Sequence, residues 1–240
     1  MSILSGRKVK IGAGIIGVLI VLGGLLWYYQ QQGFIKIFPT SEERQIKKIL
    51  EIDRSKFRSA QGLDPQAFEE EIKKLEEKKV KVLSDPSNAQ LWFDFGYTKE
   101  FLNDHEGAIL AWEKSFAIQP FNFVTAQNLG NTYQYFIKNW ERAEFYYRKV
   151  LELRPDHPQA YQGLIDLYRY NWPEKKDQFE PILLQAIAKD PQNKLPYYIS
   201  LVEFFADAGN VEKAKSYLVE VRALDESKVP ELLETYPILK

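Results

Sequence analysis

Cysteine is absent from the 240-residue sequence, and histidine is almost absent, with only His105 and His157. Without cysteine the chain can form no disulfide and offers no thiol nucleophile or thiolate metal ligand. Neither histidine has a metal-ligand partner at the usual spacing, and there is no G-x-S-x-G, H-E-x-x-H or phosphate-loop motif. We therefore expect no metal, no cofactor and no catalytic activity, because enzyme sites need such groups to converge.

The sequence also lacks a large excess of positive or negative charge. The chain has 32 Lys and Arg against 33 Asp and Glu, a net charge of −1. Residues 1–40 hold four basic residues and no acidic one, so residues 41–240 carry a net charge of −5. A mildly acidic domain without a basic stripe is a poor match for the phosphate backbone of nucleic acids, and we expect no nucleic-acid binding.

Charge is wholly missing from residues 11–29, which read IGAGIIGVLIVLGGLLWYY. A helix of this length is about 28 Å long and matches a hydrocarbon core of about 30 Å. Basic residues precede the stretch and aromatic residues close it, as at a membrane interface. These flanking residues are Arg7, Lys8 and Lys10 before it, and Trp27, Tyr28 and Tyr29 at its end. The pattern predicts one transmembrane helix over 11–29, between a short N-terminus, 1–10, and a linker, 30–40.

Glycines within this stretch allow other interpretations. Gly12, Gly14 and Gly17 have the spacing of a dinucleotide-binding loop, but the helix after them lacks the polar face that a helix on a sheet surface needs. A cleaved signal peptide is disfavoured because LLWYYQQQG holds no small-x-small cleavage site. Ala13 and Gly17 form a small-xxx-small pair, which permits self-association of the membrane helix, although glycine is common in such helices anyway.

The basic N-terminus also predicts an orientation. By the positive-inside rule, residues 1–10 lie in the cytoplasm and the domain after the span lies outside it, at a bacterial inner membrane. Basic residues that follow the span reduce this asymmetry: Lys36, Arg44, Lys47 and Lys48. A domain that faces the cytosol therefore stays open as the alternative.

Prolines recur along the rest of the chain at an almost constant interval. Pro86, Pro120, Pro155 and Pro191 are 34, 35 and 36 residues apart, and each closes an amphipathic helical pattern. A period of this length indicates a stack of helix pairs, each of which buries its apolar faces against its neighbours.

Two units of this period carry a family pattern. Residues 89–122 strongly resemble a tetratricopeptide repeat (TPR), and residues 123–157 match the same pattern with one inserted residue near Ile137. The first unit has Trp92, Gly96, Ala108, Trp112, Phe116 and Pro120, and the second has Leu129, Gly130, Tyr133, Ala143, Tyr147 and Pro155, at the spacing of that family.

Two further units, 158–193 and 195–228, are more degenerate, and Ile165 stands where the first two have glycine. The resemblance implies an all-α fold, a right-handed TPR solenoid of antiparallel helix pairs over residues 89–228. The last residues, 229–240, are expected to form a tail too short for a full capping helix.

Residues 41–87, before the array, also have a helical pattern. Thr40-x-x-Glu43 is a capping box for a helix over about 41–60, and a second helix is predicted over about 65–84. This pair is either a degenerate first repeat or a charged coiled-coil stalk.

The resemblance also implies a binding groove, because the first helix of each TPR unit lines a concave surface. By register the candidate groove residues are Phe93, Tyr97, Phe101, Gln127, Asn131, Gln134, Tyr135, Gln162, Arg169 and Tyr170. Aromatic rings bury area at low entropic cost, and amides can bond an extended peptide backbone. For Phe93 and Phe101, packing against neighbouring helices is an equal alternative. A carboxylate clamp is not expected, because Phe93 and Gln159 stand where basic residues belong.

These features predict a membrane-anchored TPR scaffold whose groove binds a protein or peptide at the bacterial cell envelope, with the bilayer as its second partner. A cytosol-facing docking receptor and a self-assembling structural subunit of a membrane complex are the alternatives.

Overall fold

Helices form all the regular structure among the residues that the structure describes. The computed structural model describes residues 23–25, 28, 40–57 and 64–240. Contacts divide the protein into two units, residues 1–51 and residues 52–240. Each unit is described by itself.

The predicted membrane span, 11–29, lies outside the described residues apart from 23–25 and 28, which are helical. The predicted N-terminus, 1–10, and nearly all of the linker, 30–40, lie outside them as well. In the part of the chain that the structure describes, no helix is both long enough and apolar enough to cross a membrane.

The first unit contains helix α1 (Ser41–Ile49). The predicted capping box is confirmed: the Thr40 hydroxyl accepts from the Glu43 amide at 3.1 Å, and the Glu43 carboxylate accepts from the Thr40 amide at 2.9 Å. The predicted length of this helix is wrong, because α1 ends at Ile49 and not near residue 60. Asp53 instead caps a separate 3-10 turn farther along the chain, and such side-chain bonds to the backbone compete with a continuing helix.

The second unit begins with that turn, Arg54–Lys56, and continues with α2 (Pro65–Ser84), whose bounds agree with the predicted 65–84. Asp64 caps α2 by accepting from two backbone amides at 2.8 and 2.9 Å. Helix α2 packs against the first helix of the array, and its Lys78 ammonium bonds to the carbonyl of Asp94 there at 3.1 Å.

Four antiparallel helix pairs follow. They are α3 (Ala89–Phe101) with α4 (His105–Ile118), α5 (Phe123–Thr132) with α6 (Trp140–Leu153), α7 (Pro158–Asp166) with α8 (Phe179–Lys189), and α9 (Lys194–Asp207) with α10 (Val211–Leu224). The second helices α4, α6 and α10 begin alike, since Asp104, Asn139 and Asn210 each accept from the backbone amide three residues on. These caps fix the turn in three of the four pairs, whereas α8 begins without a side-chain cap.

Aromatic rings pack against glycines where the helices approach most closely. The buried ring of Tyr147, on α6, lies against Gly130 of α5 and Gly163 of α7. A Cβ atom at Gly163 would lie 2.4 Å from that ring, and one at Gly130 would lie 2.7 Å from it. One tyrosine therefore joins two successive pairs, and the role of Gly163 escaped the sequence analysis because the family register pointed to Ile165.

Helices α5 and α7 both end in a π-helical turn, Tyr133–Ile137 and Leu167–Asn171. A π-helical turn holds one more residue than an α-helical turn, as in the bond from the Trp172 amide to the Leu167 carbonyl at 2.8 Å. The first of these turns includes Ile137, where the sequence has its inserted residue. The insertion is thus absorbed within the helix, and the pairs keep their packing.

The C-terminal residues close the array. The segment 229–240, predicted as a tail, forms a short helix α11 (Val229–Thr235) and a 3-10 turn, Pro237–Leu239. Val229, Leu232 and Leu239 are buried, and both elements pack against α10. This segment covers apolar surface that the last repeat of a solenoid would otherwise expose.

Candidate functional site

We call the surface presented by α3, α5, α7 and α9 the groove face, and the surface presented by α4, α6, α8 and α10 the second-helix face. The predicted groove residues Tyr97, Phe101, Tyr135 and Tyr170 are all exposed on the groove face, at 58%, 42%, 50% and 66% respectively. Side chains this large are costly to leave in water, so several exposed rings on one face mark a candidate contact surface.

Phe93 behaves differently from the other predicted aromatic residues. It is half-buried, its ring lies 6.4 Å from that of Trp112, and its carbonyl accepts a bond from the Trp112 indole at 3.1 Å. Phe93 therefore packs against a neighbouring helix, which is the alternative that the sequence left open. Phe101, in contrast, remains exposed to solvent.

Polar side chains of the groove face pair along their own helices. Gln127 donates to Asn131 at 2.9 Å and Gln162 donates to Asp166 at 2.8 Å, in both cases one helical turn apart. Asn131 also accepts from the Tyr147 hydroxyl at 3.0 Å. The Gln127 carbonyl oxygen is buried and has no hydrogen-bond partner among the described residues. The amides are thus held in place before any ligand arrives.

The expectation that Gln134 is exposed in the groove is wrong. Gln134 is 1% exposed, and its amide lies 2.7 Å from the Tyr147 hydroxyl and 2.7 Å from the side-chain oxygen of Asn171. The cause is the π-helical turn, which rotates residue 134 away from the groove face and towards the next pair. Gln134 joins the two π-helical turns and is structural.

Tyr135 connects α5 to α7 across the groove face. Its hydroxyl donates to Asp166 at 3.1 Å. Burial first, and then the charge of Asp166, raise the pKa of Tyr135 to about 12. The phenol therefore stays protonated at neutral pH and acts as a hydrogen-bond donor.

Arg169 connects α7 to α9. Its guanidinium lies 3.2 Å from Glu203 and 3.6 Å from Asp207, and it stacks over the rings of Tyr170 at 5.3 Å and Phe179 at 5.7 Å. The side chain is 16% exposed, so the cation is largely enclosed by its own partners.

A pocket of about 430 Å³ opens between α7 and α9. Three of the predicted residues, Gln162, Arg169 and Tyr170, line it together. It is also lined by Pro158, Gln159, Ile165, Asp166, Asp190, Asn193, Pro196, Tyr197 and Ser200. The sequence did not predict that Asp190 and Tyr197 line this pocket, because the turn that precedes α9 approaches α7 only in the folded array.

The second-helix face uses its charges differently. Glu113 of α4 accepts from the hydroxyls of Tyr133 at 2.8 Å and Tyr146 at 3.2 Å, and it pairs with Arg142. Burial raises the pKa of Tyr146, and the nearby Glu113 charge adds to this effect. Glu113 thus bonds to three groups of the second pair across the junction between the first two pairs.

The next two junctions have the same kind of cluster. Glu144 of α6 accepts from Tyr168 at 2.6 Å and pairs with Arg148 at 2.9 Å and Lys175 at 2.5 Å. Burial alone would raise the pKa of Glu144, but these three bonds outweigh it and hold that pKa below its ordinary value. At the third junction, Glu180 of α8 accepts from Tyr217 at 2.6 Å and Lys213 at 2.5 Å.

No group of three or more His, Cys, Asp or Glu residues within 40–57 and 64–240 is arranged to hold a metal ion. The groove face offers exposed aromatic rings, ordered amides and carboxylates, a combination that suits recognition of a polypeptide.

Comparison with known proteins agrees with this architecture. Residues 125–157 match the family model of the tetratricopeptide repeat. A crystal structure of MamA is similar, with a TM-score of 0.54 and 17% identity over 70% of this chain and 98% of that one. Another MamA structure has a TM-score of 0.54 and 16% identity over 78% and 95%. MamA 41-end from Desulfovibrio magneticus RS-1 has a TM-score of 0.51 and 18% identity over 66% and 87%.

No curated protein sequence matches the chain significantly. Similarities to solved structures at such low identity establish the fold alone. The described residues of the second unit therefore form a TPR-like solenoid, whose matched repeat, 125–157, covers most of the pair α5–α6 and the residues just after it.

Proposed function

We propose that this TPR-like solenoid is a non-catalytic scaffold that binds an extended segment of a partner protein along its groove face. The observation that carries the proposal is the row of exposed rings on successive first helices, Tyr97 and Phe101 on α3, Tyr135 after α5 and Tyr170 after α7. An extended peptide can contact such a row at several points, and each ring buries area with few rotamers to freeze.

The contrast with the second-helix face supports this proposal. There the carboxylates Glu113, Glu144 and Glu180 are bonded to tyrosines and cations of the adjacent pair. These groups are already used in holding the pairs together. On the groove face Tyr135 also bonds to Asp166 and Asn131 to Tyr147, but the rings of Tyr97, Phe101, Tyr135 and Tyr170 stay exposed and leave area that a ligand can cover.

A photo-crosslinking experiment tests the proposal. Benzoylphenylalanine would replace Tyr97 or Tyr170 in the full-length chain in cells, with Phe145 as the matched control, because Phe145 is a 45% exposed ring on α6. We expect the same partner protein to crosslink at both groove positions and not at the control. Equal labelling from Phe145, or adducts of unrelated proteins at the two groove positions, would refute it. Crosslinks between two copies of this chain would favour the self-assembling alternative.

We further propose that residues 11–29 anchor the scaffold in a membrane, with the solenoid outside the cytoplasm of a bacterium. The support is the uncharged sequence itself and the basic residues before it. Because the chain has no cysteine, an exposed Ser227→Cys reporter can be labelled alone with a membrane-impermeant thiol reagent.

Labelling of intact cells, after the outer membrane is opened, is the expected result. Labelling only after lysis, with the protein in the membrane fraction, would make it a cytosol-facing docking receptor. Recovery of the protein in the soluble fraction would reject the anchor.

A further inference from the structure

The pocket between α7 and α9 contains negative charge that the protein does not neutralise. Asp166 accepts bonds only from neutral groups, the Gln162 amide at 2.8 Å and the Tyr135 hydroxyl at 3.1 Å. Asp190 accepts from the Asn193 amide at 2.8 Å. Neither carboxylate forms an ion pair with any residue in the described ranges.

Arg169 is the one basic residue among those that line this pocket, and it is already paired. Its guanidinium lies between Glu203 at 3.2 Å and Asp207 at 3.6 Å, both of which are on α9. An anionic ligand would therefore have to displace a carboxylate to reach Arg169, and it would approach against the charges of Asp166 and Asp190. The pocket is suited to a cation and unsuited to an anion.

The aromatic walls of the pocket favour the same kind of ligand. Tyr170 is 66% exposed at the rim, and Tyr197 is largely buried in the wall. The Arg169 guanidinium already lies over the Tyr170 ring at 5.3 Å, which shows that this ring attracts a cation, and the ring remains exposed enough for a second contact. The attraction of a cation by the π electrons of a ring adds to that of nearby carboxylates. The volume of about 430 Å³ lies within the range of pockets that enclose a ligand. It is larger than the volume that one long side chain requires.

We propose that this pocket receives a lysine or arginine side chain of the partner segment that lies along the groove face. The proposal rests on the proposed function, and it adds the chemical identity of one anchor residue. The aromatic positions on α3 and in the turn after α5 contact the apolar part of the segment, and the pocket between α7 and α9 fixes its register through the charged side chain.

Peptide selection on the full-length chain tests this proposal. A phage library of random 12-residue peptides would be selected on the detergent-solubilised wild type and on a double variant, Asp166→Asn with Asp190→Asn. The asparagine at 166 keeps an oxygen that can accept from Gln162 and Tyr135, and the unfolding midpoint checks that the variant is folded. Asp177→Asn is the matched control, because Asp177 is an exposed carboxylate outside the pocket.

The expected result is that wild type and control select peptides with Lys or Arg at one fixed position, and that the double variant loses this preference. A synthetic peptide from the wild-type selection, with that residue changed to norleucine, should bind on the order of tenfold more weakly to wild type, from the loss of a partly exposed ion pair and a cation–π contact. The same change should weaken its binding to the double variant less, by about two- to fivefold, because only the cation–π contact is then lost.

Other outcomes distinguish a failure of the cation pocket from a failure of the proposed function. Selected peptides without a basic preference, or a preference that the double variant keeps or the Asp177 control loses, would overturn the cation pocket. The groove would still bind peptides in those cases, and Tyr97→Ala with Tyr135→Ala would abolish the selection. If the wild type selects no peptide above an empty surface, the proposed function fails, and the cation pocket fails with it.

Discussion

Polar and aromatic side chains occur on both faces of this solenoid, but they are used differently. On the second-helix face, Glu113, Glu144 and Glu180 each join tyrosines and cations across a junction between helix pairs. On the groove face, rings such as Tyr97 and Tyr170 stand in solvent. The difference indicates that one face maintains the stack and that the other is available for binding.

Amino-acid substitutions test this comparison, and those expected to lower stability most are considered first. Substitutions at the inner packing and on the second-helix face should lower stability, whereas substitutions on the groove face should lower binding and leave stability nearly intact.

The largest effect is expected at the centre of the stack. Gly163→Leu would place a side chain into the buried ring of Tyr147, since even a Cβ atom there lies 2.4 Å from that ring. We expect the free energy of unfolding to fall by about 3 kcal/mol, from overpacking. Urea unfolding followed by circular dichroism measures this fall. Ala188→Leu, at an exposed position on α8, is the control and should change stability by less than about 0.5 kcal/mol.

The next effect is expected at Glu144 on the second-helix face. Glu144→Gln removes the charge that holds Lys175 and Arg148, and the free energy of unfolding should fall by roughly 1–3 kcal/mol at pH 7. Because the pKa of Glu144 is lowered in the folded state, its contribution is present above the ordinary glutamate pKa of 4.5 and is lost as pH falls through the folded pKa.

Unfolding measured at several pH values checks this sign. The wild type and Glu144→Gln should differ at pH 7 and converge as pH falls below about 4. A difference that persists unchanged at pH 3 would mean that packing, and not charge, explains the loss.

The sequence predicted most of this fold, because the helices follow from local signals. The proline interval, the pattern around Trp92 and Gly130, and the box at Thr40 each specify structure within a few residues. The π-helical turns were not predictable from these signals, since an inserted residue can equally lengthen a loop. That is why Gln134 was placed on the wrong side of its helix.

The candidate site was less predictable than the fold. Register alone brought Gln162, Arg169 and Tyr170 to one surface, and the structure shows that they line one pocket. The other wall, with Asp190 and Tyr197, depends on how the third and fourth pairs are stacked. No local sequence pattern encodes the stacking of the third pair on the fourth.

A smaller effect is expected at Tyr135, which belongs to the groove face but still bonds to Asp166. Difference absorbance between the wild type and Tyr135→Phe should show a phenol that ionises with a midpoint near pH 12, since burial and the Asp166 charge raise its pKa to about 12. Asp166→Asn should lower this midpoint, because it removes the charge that opposes ionisation. A midpoint near the ordinary 10 would show that Tyr135 does not contact Asp166 in solution.

The smallest effect on stability is expected from Tyr97→Ala, because the ring is 58% exposed and its loss opens no cavity. The unfolding midpoint should change by the equivalent of less than about 0.5 kcal/mol, while the partner crosslink from benzoylphenylalanine at position 170 should fall several-fold. Phe145→Ala removes a 45% exposed ring from the second-helix face and should leave that crosslink unchanged. If both changes reduced the crosslink equally, the two faces would not differ in function. A loss of the crosslink with Tyr97→Ala alone would show that the binding surface is distinct from the surface that holds the stack together.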